Sequence, residues 1–281
     1  MKKKPLILVV NDDGITSPGI TALVEAMKEI GEVVVVAPDK PQSGVGHAIT
    51  INATLRLNKT KYHNVKDEYS ISGTPVDCVK MATDKLMRRL PDLCVSGINH
   101  GSNISVNVIY SGTMSAAIEG AIDGIPSAGF SLMDYSINAD FTAAKEIAKS
   151  IAKNILTHGL PKNICLNVNI PPLKLSEIKG IKMCRQAKAD WKEVFDERKD
   201  PYGRSYYWLT GEFIDMESGK NDTDVWAVKN NYVSVVPIQF DMTGYAALPH
   251  LKKWKFNNNV IAKPVRTDVH PGGQSHRKKM P

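Results

Sequence analysis

Two neighbouring carboxylates, Asp12 and Asp13, are the side chains of this sequence best placed to do chemistry. They follow the aliphatic run 6–10, after Asn11 and before Gly14. Such a run is typical of a strand buried on both faces of a parallel sheet, and ligands bind beyond the carboxyl ends of these strands. Adjacent carboxylates repel each other, so a bound cation is the simplest compensation if they are buried. A plain polar turn is the alternative, because Asn-Asp-Asp-Gly is also good turn sequence.

Two further polar loops are predicted to follow strands of the same sheet. The valine-rich run 33–37 precedes a loop that carries Ser43 and Gly44, and the run 91–96 precedes an amide-rich and glycine-rich loop, 97–103. A helix-type pattern between the first two runs gives a β-α-β unit, which requires parallel strands and a right-handed crossover. The carboxyl ends of parallel strands meet at one edge, so we expect the three loops to lie together.

This edge is predicted to hold a hard dication next to a phosphate. The candidate cation ligands are Asp12, Asp13, Ser43 and either Asn99 or Asn103. An all-oxygen, partly anionic set suits Mg²⁺ or Mn²⁺ rather than zinc or copper. A helix predicted to start at Ser111, Gly112 and Thr113 would offer backbone N–H groups and hydroxyls to the phosphate.

The rest of the chain predicts an α/β fold followed by an antiparallel excursion. Helices are expected over 20–30, 75–87 and 138–156, the last capped by Asn138 and ended by Gly159, with strands over 126–132, 164–170 and 233–238. Residues 49–57 alternate apolar and polar residues, as in a hairpin. The aromatic stretch 191–213 is expected to be an arm that leaves the α/β body and packs on another subunit.

Composition limits the class of protein. The chain has 281 residues, a net charge of +7 and four scattered cysteines without a C-x-x-C pair. We expect reduced core thiols, a cytoplasmic location and no membrane span. The positive charge suits an anionic substrate, but its partly terminal placement gives no reason to expect nucleic acid as a partner.

Several other functions have weaker support. The sequence lacks the serine-hydrolase elbow, the P-loop and the H-E-x-x-H zinc motif. A response-regulator receiver needs an aspartate at the end of its third strand, whereas Asp92 precedes its strand here. His100 has a structural and a catalytic interpretation, and both stay open. A non-catalytic nucleotide or nucleic-acid binder that uses the basic surface is the second hypothesis.

Together these motifs resemble the SurE survival-protein nucleotidases. The resemblance rests on Asn11 to Gly14, on the loop at Ser43 and Gly44, and on four further segments, 97–103, 110–113, 223–227 and 233–243. It implies a Rossmann-like α/β body with a mostly parallel sheet, helices on both faces and a C-terminal antiparallel arm used in oligomerisation. The predicted domains are a catalytic core over 1–180, an arm and return to the core over 181–256, and a tail over 257–281, which lies beyond the resemblance and is expected to be flexible from its composition.

The resemblance also implies an activity and a set of site residues. It implies a metal-dependent phosphatase of nucleoside 5′- and 3′-monophosphates, and of short polyphosphate in some members, that forms homodimers or homotetramers. One divalent cation per subunit, Mg²⁺ or Mn²⁺, would bind Asp12, Asp13, Ser43 and Asn99. The catalytic set would be Asn11, Asp12 and Asp13, and phosphate would contact Gly44, Asn103, Ser111, Gly112 and Thr113.

Overall fold

The structure, a computed structural model, describes residues 4–136 and 138–256. The strands in this part of the chain are β1 (Leu6–Val10), β2 (Glu32–Pro38), β3 (Leu57–Lys59), β4 (Asp67–Ile71), β5 (Leu93–His100), β6 (Ser127–Leu132), β7 (Ile164–Ile170), β8 (Gly180–Met183), β9 (Ala189–Lys199), β10 (Ser205–Asp215) and β11 (Tyr232–Gln239). The helices are α1 (Pro18–Lys28), α2 (Pro75–Met81), α3 (Gly112–Ile122), α4 (Thr142–His158), α5 (Asp224–Lys229) and α6 (Leu248–Leu251).

Nine of these strands form one sheet in the order β3-β4-β2-β1-β5-β6-β7-β11-β8. The pairs from β4 to β7 are all parallel, and β8 is parallel to β11. Only β3 with β4 and β11 with β7 are antiparallel in the described sheet. The prediction of a mostly parallel α/β sheet is therefore confirmed, and the antiparallel ribbon of β9 and β10 confirms the predicted excursion.

The central strand β1 is buried on both sides, as its aliphatic run predicts. Ile7 and Val9 pack in one apolar cluster with α1 and α4, while Leu8 and Val10 pack in a second cluster with α2 and α3. Successive side chains of a strand alternate between the two faces, so one apolar run supplies both layers. Each fully buried side chain of this kind contributes roughly 1.5–3 kcal/mol. The loop after β1 therefore begins at a side chain, Val10, that is firmly packed in the core.

The sheet reverses its winding at β1, and this reversal positions the site. From β1 the chain goes to β2 on one side, and it later returns to place β5 on the other side. Such a reversal leaves a crevice outside the carboxyl ends of the two strands, where α/β proteins bind their ligands. Asp12 follows β1, and Asn99 and His100 end β5.

Several local predictions differ from the structure. The predicted helix 75–87 is an α-helix only over Pro75–Met81 and continues as a π-helix over Ala82–Leu86. Of the predicted hairpin 49–57 only Leu57 is in a strand, because Thr50 binds the Asp77 carboxylate through its backbone N–H and its hydroxyl instead of pairing. The predicted loop 97–103 is strand as far as His100, with a register shift between Ser96 and Asn99. Helix α4 begins at Thr142 rather than beside Asn138, and Gly159 ends it as expected.

The chain divides into two compact units, Met1–Phe240 and Asp241–Pro281. The described part of the second unit contains α6 and a hydrogen bond from the Tyr245 phenol to the Asp241 carboxylate. The predicted tail over 257–281 lies outside the described residues. None of the helices that the structure describes has the length and apolar character that a membrane span needs.

Candidate active site

A cavity of about 220 Å³ opens at the carboxyl edge of the sheet, in the crevice between β1 and β5. Six of the residues expected at the site line it: Asp12, Ser43, Gly44, Asn99, Asn103 and Ser111. The other four expected residues, Asn11, Asp13, Gly112 and Thr113, are not among its lining residues. The fold therefore gathers the expected set at one edge but gives its members different roles.

Asp12 is a buried carboxylate that the start of α3 encloses. One carboxylate oxygen accepts a short hydrogen bond from the Thr113 hydroxyl. A Cβ atom on Gly112 would lie 2.7 Å from the Asp12 Cβ, so only glycine allows this approach. Burial raises the pKa of Asp12 to about 6, the Asp13 charge acts in the same direction, and the Thr113 hydrogen bond opposes them. The site thus holds an electrostatic conflict that a cation would relieve.

Asp13 binds the end of β5 and is not part of the cavity wall. Its Oδ2 atom accepts a hydrogen bond from the backbone N–H of His100 at 3.2 Å. The His100 ring, which does line the cavity, lies with Nδ1 3.5 Å from the same oxygen and packs edge-on against Phe141 with the ring centroids 4.9 Å apart. His100 therefore contacts both a carboxylate of the site and the apolar core.

Asn11 holds the loop after β1 in shape. Its amide nitrogen donates to the Gly14 carbonyl and to the Ser17 hydroxyl, both at 2.9 Å. Its Oδ1 atom is buried and has no hydrogen-bond partner within the described residues. A buried acceptor without a partner is costly, so this oxygen marks a place where a ligand or water fits.

The loop that carries Ser43 and Gly44 is tied down on both sides of these residues. The Gln42 N–H donates to the Asp12 carbonyl at 2.7 Å, and the Gly46 N–H donates to the Tyr110 carbonyl at 3.2 Å. His47 Nε2 lies 2.9 Å from a carboxylate oxygen of Glu119 on α3. These three contacts fix Ser43 relative to Asp12 and to the start of α3.

The two expected asparagines already make hydrogen bonds within the protein. The Asn99 amide donates to the Gly101 carbonyl at 2.9 Å, and the Asn103 amide donates to the Ser131 hydroxyl at 2.8 Å. Both bonds use amide N–H groups, so the Asn99 oxygen remains for a cation and the second N–H of Asn103 remains for a phosphate. The Asn103 backbone N–H donates to Asn169 Oδ1 at 2.7 Å, which fixes this residue from beneath the cavity.

Helix α3 begins at the cavity with a free hydroxyl donor. Ser111 is the N-cap, and its Oγ accepts from the Met114 N–H at 3.0 Å. Within the described residues no acceptor takes the hydrogen of this hydroxyl. The N terminus of a helix also presents unpaired backbone N–H groups and a partial positive charge, which favour an anion. Thr113, in contrast, has already given its hydroxyl hydrogen to Asp12.

The residues present fit a hard dication. In the described part of the chain no group of three or more His, Cys, Asp or Glu side chains could hold a metal ion. A cation here would depend on two carboxylates and neutral oxygens, a donor set that suits Mg²⁺ or Mn²⁺. The buried Asp12 carboxylate beside Asp13 agrees with a cation at this position.

Some residues of the site were not predicted from the sequence. The cavity wall also contains Asn107, Tyr110, Tyr135 and Trp191. Trp191 is 84 residues from Asn107, to which it is hydrogen-bonded, so no local pattern connects them. The buried Asn167 and Asn169 carried a signal, because they interrupt the apolar strand β7 at alternate positions, on the same face of the sheet.

Comparison with known proteins decides the family. A profile of the family described as Survival protein SurE matches residues 7–193, about two thirds of the chain. The chain belongs to the SurE family. Its relatives include proteins named 5′-nucleotidase SurE from Christiangramia forsetii and Flavobacterium psychrophilum, each 61% identical. The first alignment spans 92% of this chain and 99% of the relative, and the second spans 90% and 99%.

A solved structure supports the same placement. The SurE protein from Aquifex aeolicus is similar with a TM-score of 0.78 and 45% sequence identity. The match covers 88% of this chain and 98% of that protein. The predicted SurE resemblance and the predicted fold class are confirmed.

Proposed function

We propose that this SurE-family protein is a divalent-metal-dependent phosphomonoesterase that hydrolyses nucleoside 5′- and 3′-monophosphates to nucleoside and phosphate. The observation that carries the proposal is the buried Asp12 carboxylate, which lies between a second carboxylate and the N terminus of α3. A cation relieves the repulsion between Asp12 and Asp13, and the helix terminus binds the phosphate. The name 5′-nucleotidase SurE, which relatives 61% identical to this chain carry, agrees with this chemistry.

One Mg²⁺ or Mn²⁺ per subunit is proposed to bind Asp12, Asp13, Ser43 and Asn99. When bound, such a cation polarises the phosphoryl oxygens and lowers the pKa of a coordinated water. Asp12 and Asp13 supply the negative charge that retains it, and the ties at Gln42 and His47 keep the Ser43 loop in position. Asn11 completes the catalytic set by holding the loop of both carboxylates, with its Oδ1 free to accept from a ligand.

Neutral donors are proposed to bind the phosphate. No lysine or arginine is among the described residues that line the cavity, so the charge of the phosphoryl group has to be met by hydrogen bonds and by the helix terminus. The proposed donors are the Asn103 amide, the Ser111 hydroxyl and the backbone N–H groups of Gly44 and Gly112, while Thr113, also expected at the phosphate, donates to Asp12. Positioning and charge stabilisation of this kind supply most of the catalysis in phosphoryl transfer.

The proposal extends to three properties of the whole protein. Short polyphosphate is a further substrate, because the same terminal phosphoryl group would enter the same cavity. The protein is a homodimer or homotetramer held together by the β9–β10 arm. It is cytoplasmic, in agreement with four cysteines that are all free thiols and buried.

A phosphatase assay tests the activity. The purified protein is freed of metal with a chelator and assayed on 5′- and 3′-AMP, GMP, CMP and UMP, with and without added Mg²⁺ or Mn²⁺. We expect phosphate release only with added cation. Full activity in protein shown by elemental analysis to be free of metal would contradict the metal requirement. Salt-sensitive nucleotide binding without phosphate release would support a non-catalytic binder instead.

A further inference from the structure

Three aromatic side chains line the same cavity as Asp12 and Ser111. They are Tyr110, Tyr135 and Trp191, and their exposed fractions are 57%, 76% and 39%. Tyrosine and tryptophan combine a large apolar ring with one polar group, so three that line the same polar cavity offer ring faces to a ligand there. The cavity is polar at the carboxylates and aromatic at its rim.

Trp191 is held in place although it lies on the surface. Its indole Nε1–H donates to Asn107 Oδ1 at 2.8 Å. Its ring packs edge-on against Phe213 of the neighbouring strand, with the ring centroids 5.5 Å apart. A side chain fixed by both contacts loses little conformational entropy when a ligand stacks on it.

The start of the arm, which carries Trp191, is fixed to the cavity wall by a buried network. The Asp224 carboxylate accepts from the backbone N–H groups of Ser105 and Ala187, at 2.8 and 2.9 Å. The Ser105 hydroxyl donates to the carbonyls of Ala187 and Ala189. Ser105 begins the 3₁₀ turn Ser105–Ile109, which contains Asn107, so turn and arm are fixed together.

Tyr135 covers the start of the loop that follows β5. A Cβ atom on Gly101 would lie 2.2 Å from Cε1 of the Tyr135 ring, so the ring rests directly on the backbone of this glycine. Tyr110 immediately precedes Ser111, the residue that caps α3 at the cavity. The three rings thus surround the part of the site that is next to the proposed phosphate donors.

The size of the cavity separates the two parts of a nucleotide. Its volume of about 220 Å³ is below the roughly 300–1,000 Å³ of pockets that enclose a drug-sized ligand. If the proposed function holds, a phosphate and its ribose would occupy the polar part, which leaves the base at the aromatic rim. We infer that Trp191, with Tyr110 and Tyr135, is a stacking platform for the nucleobase and makes the site prefer nucleotides to simple phosphate esters. This inference rests on the proposed function.

Stacking also predicts a broad range of accepted bases. Every nucleobase has a π face, so recognition by stacking tolerates different bases. The Asn107 oxygen already accepts from Trp191, which removes one group that could read base edges. Accordingly, the platform selects for the presence of a base rather than for its identity.

The test compares a substrate that has a base with one that lacks it. The values of kcat/KM are measured for 5′-AMP and for ribose 5-phosphate on wild type, Trp191→Ala, Trp191→Phe and Trp208→Ala. Trp208 is a matched control, since it is an exposed tryptophan of the same arm that is not among the cavity-lining residues. Light scattering shows whether each variant keeps the assembly of the wild type.

We expect Trp191→Ala to lower kcat/KM for 5′-AMP about tenfold, equivalent to roughly 1.4 kcal/mol, and to leave ribose 5-phosphate within twofold. Trp191→Phe should keep most of the preference, and Trp208→Ala should keep all of it. An equal loss on both substrates, or no loss on either, would overturn the platform.

A binding measurement keeps the two proposals separable. If wild type releases phosphate from neither substrate, the proposed function fails, and calorimetric titration with adenosine then tests the platform alone. Adenosine needs neither the cation nor the phosphate donors. We expect it to bind wild type about tenfold more tightly than Trp191→Ala, and equal affinities would overturn the inference.

Discussion

At Asp12, burial and a neighbouring charge act in the same direction. Both raise the pKa of this carboxyl, to about 6, while hydrogen bonds, chiefly that of the Thr113 hydroxyl, oppose them. A protein that only needed a stable turn after β1 would do better without the second carboxylate. The repulsion between the two carboxylates therefore lowers the stability of the metal-free protein. A bound cation attracts both carboxylates and offsets this repulsion.

Replacement of Asp13 by asparagine tests this at a single atom. Asp13→Asn removes the charge that disfavours ionised Asp12 but keeps an oxygen for the His100 N–H. We expect weaker Mn²⁺ binding, measured by paramagnetic resonance of the free ion, and almost no turnover. Thermal unfolding of the metal-free variant should occur at or above the wild-type temperature. Asp84→Asn, an exposed change outside the cavity, is the control, and unchanged Mn²⁺ affinity in Asp13→Asn would contradict the assignment.

Ser111 separates the phosphate donors from the cation ligands. Ser111→Ala removes a hydroxyl donor at the cavity, and loss of one such donor to a transition state costs about 3 kcal/mol, or roughly a hundredfold in rate. It also removes a helix N-cap worth about 1 kcal/mol of stability. We expect turnover to fall about a hundredfold while Mn²⁺ affinity stays within twofold of wild type.

Thr223→Ala is the matched control for Ser111→Ala. Thr223 caps α5 by accepting from the Trp226 N–H at 3.2 Å and is not among the cavity-lining residues. It should lose similar stability and keep its rate. Asn103 is a less suitable test, because its amide also donates to the buried Ser131. Loss of Mn²⁺ in Ser111→Ala without loss of rate would reverse the proposed roles.

At the scale of elements, the start of α2 stabilises the segment that follows the Ser43 loop. The Asp77 carboxylate accepts from the Thr74 N–H at 2.9 Å in a capping box, and from the backbone N–H and hydroxyl of Thr50. Burial alone would raise the pKa of Asp77, but these hydrogen bonds outweigh burial and lower it below its ordinary value of 3.8. This carboxylate is more stable ionised in the folded protein than in the unfolded chain.

The lowered pKa fixes the sign of a pH effect. The stabilisation is fully present above the unfolded-state pKa near 3.8 and is lost as the pH falls through the lower folded-state pKa. We expect Asp77→Asn to reduce the free energy of unfolding by about 1–3 kcal/mol at pH 7. The difference from wild type should shrink below pH 4 in urea titrations. A difference that stays constant from pH 7 to pH 3 would show that the ionised carboxylate is not its source.

The sequence predicted the elements whose signals are local. The aliphatic runs of β1 and β2 and the helical pattern that begins at Pro75 each depend on neighbouring residues. The extension of β5 to His100 was missed, because Gly97, Asn99 and His100 have the composition of a loop and the strand shifts register there. The alternation in 49–57 indicated a strand, whereas the decisive partner of Thr50 was Asp77, 27 residues away.

In the candidate site, too, residues placed by local patterns were predicted and residues placed by distant contacts were missed. Asp12, Ser43 and Asn99 were expected to lie together because each follows a predicted strand and parallel strands bring their ends together, and all three line the cavity. The aromatic rim was missed, because Trp191 reaches Asn107 through the arm rather than through the sheet order. The link through Asp224 joins residues more than a hundred positions apart, which no periodicity reveals.

For the whole molecule, the β9–β10 arm has an unusual distribution of apolar surface. Leu209 lies opposite Phe195 on one face of the ribbon, while Val194 and Trp208 lie on the other face. All four are more than half exposed, and the ribbon has no further strand in the described chain. An isolated two-stranded ribbon is marginally stable at best, so burial of both faces against another copy of the chain, as proposed above, would stabilise it.

Phe195→Glu tests whether the arm holds subunits together. A carboxylate in place of Phe195 would face Leu209 in an apolar interface, where an unpaired charge costs several kcal/mol. We expect wild type to be a dimer or tetramer by multi-angle light scattering at micromolar concentration, and Phe195→Glu to shift towards monomer. Lys199→Gln changes the net charge by the same amount on the same strand without altering the apolar pair, and should assemble as wild type does. A fully active monomeric wild type would instead mean that the ribbon is a free hairpin of a single chain.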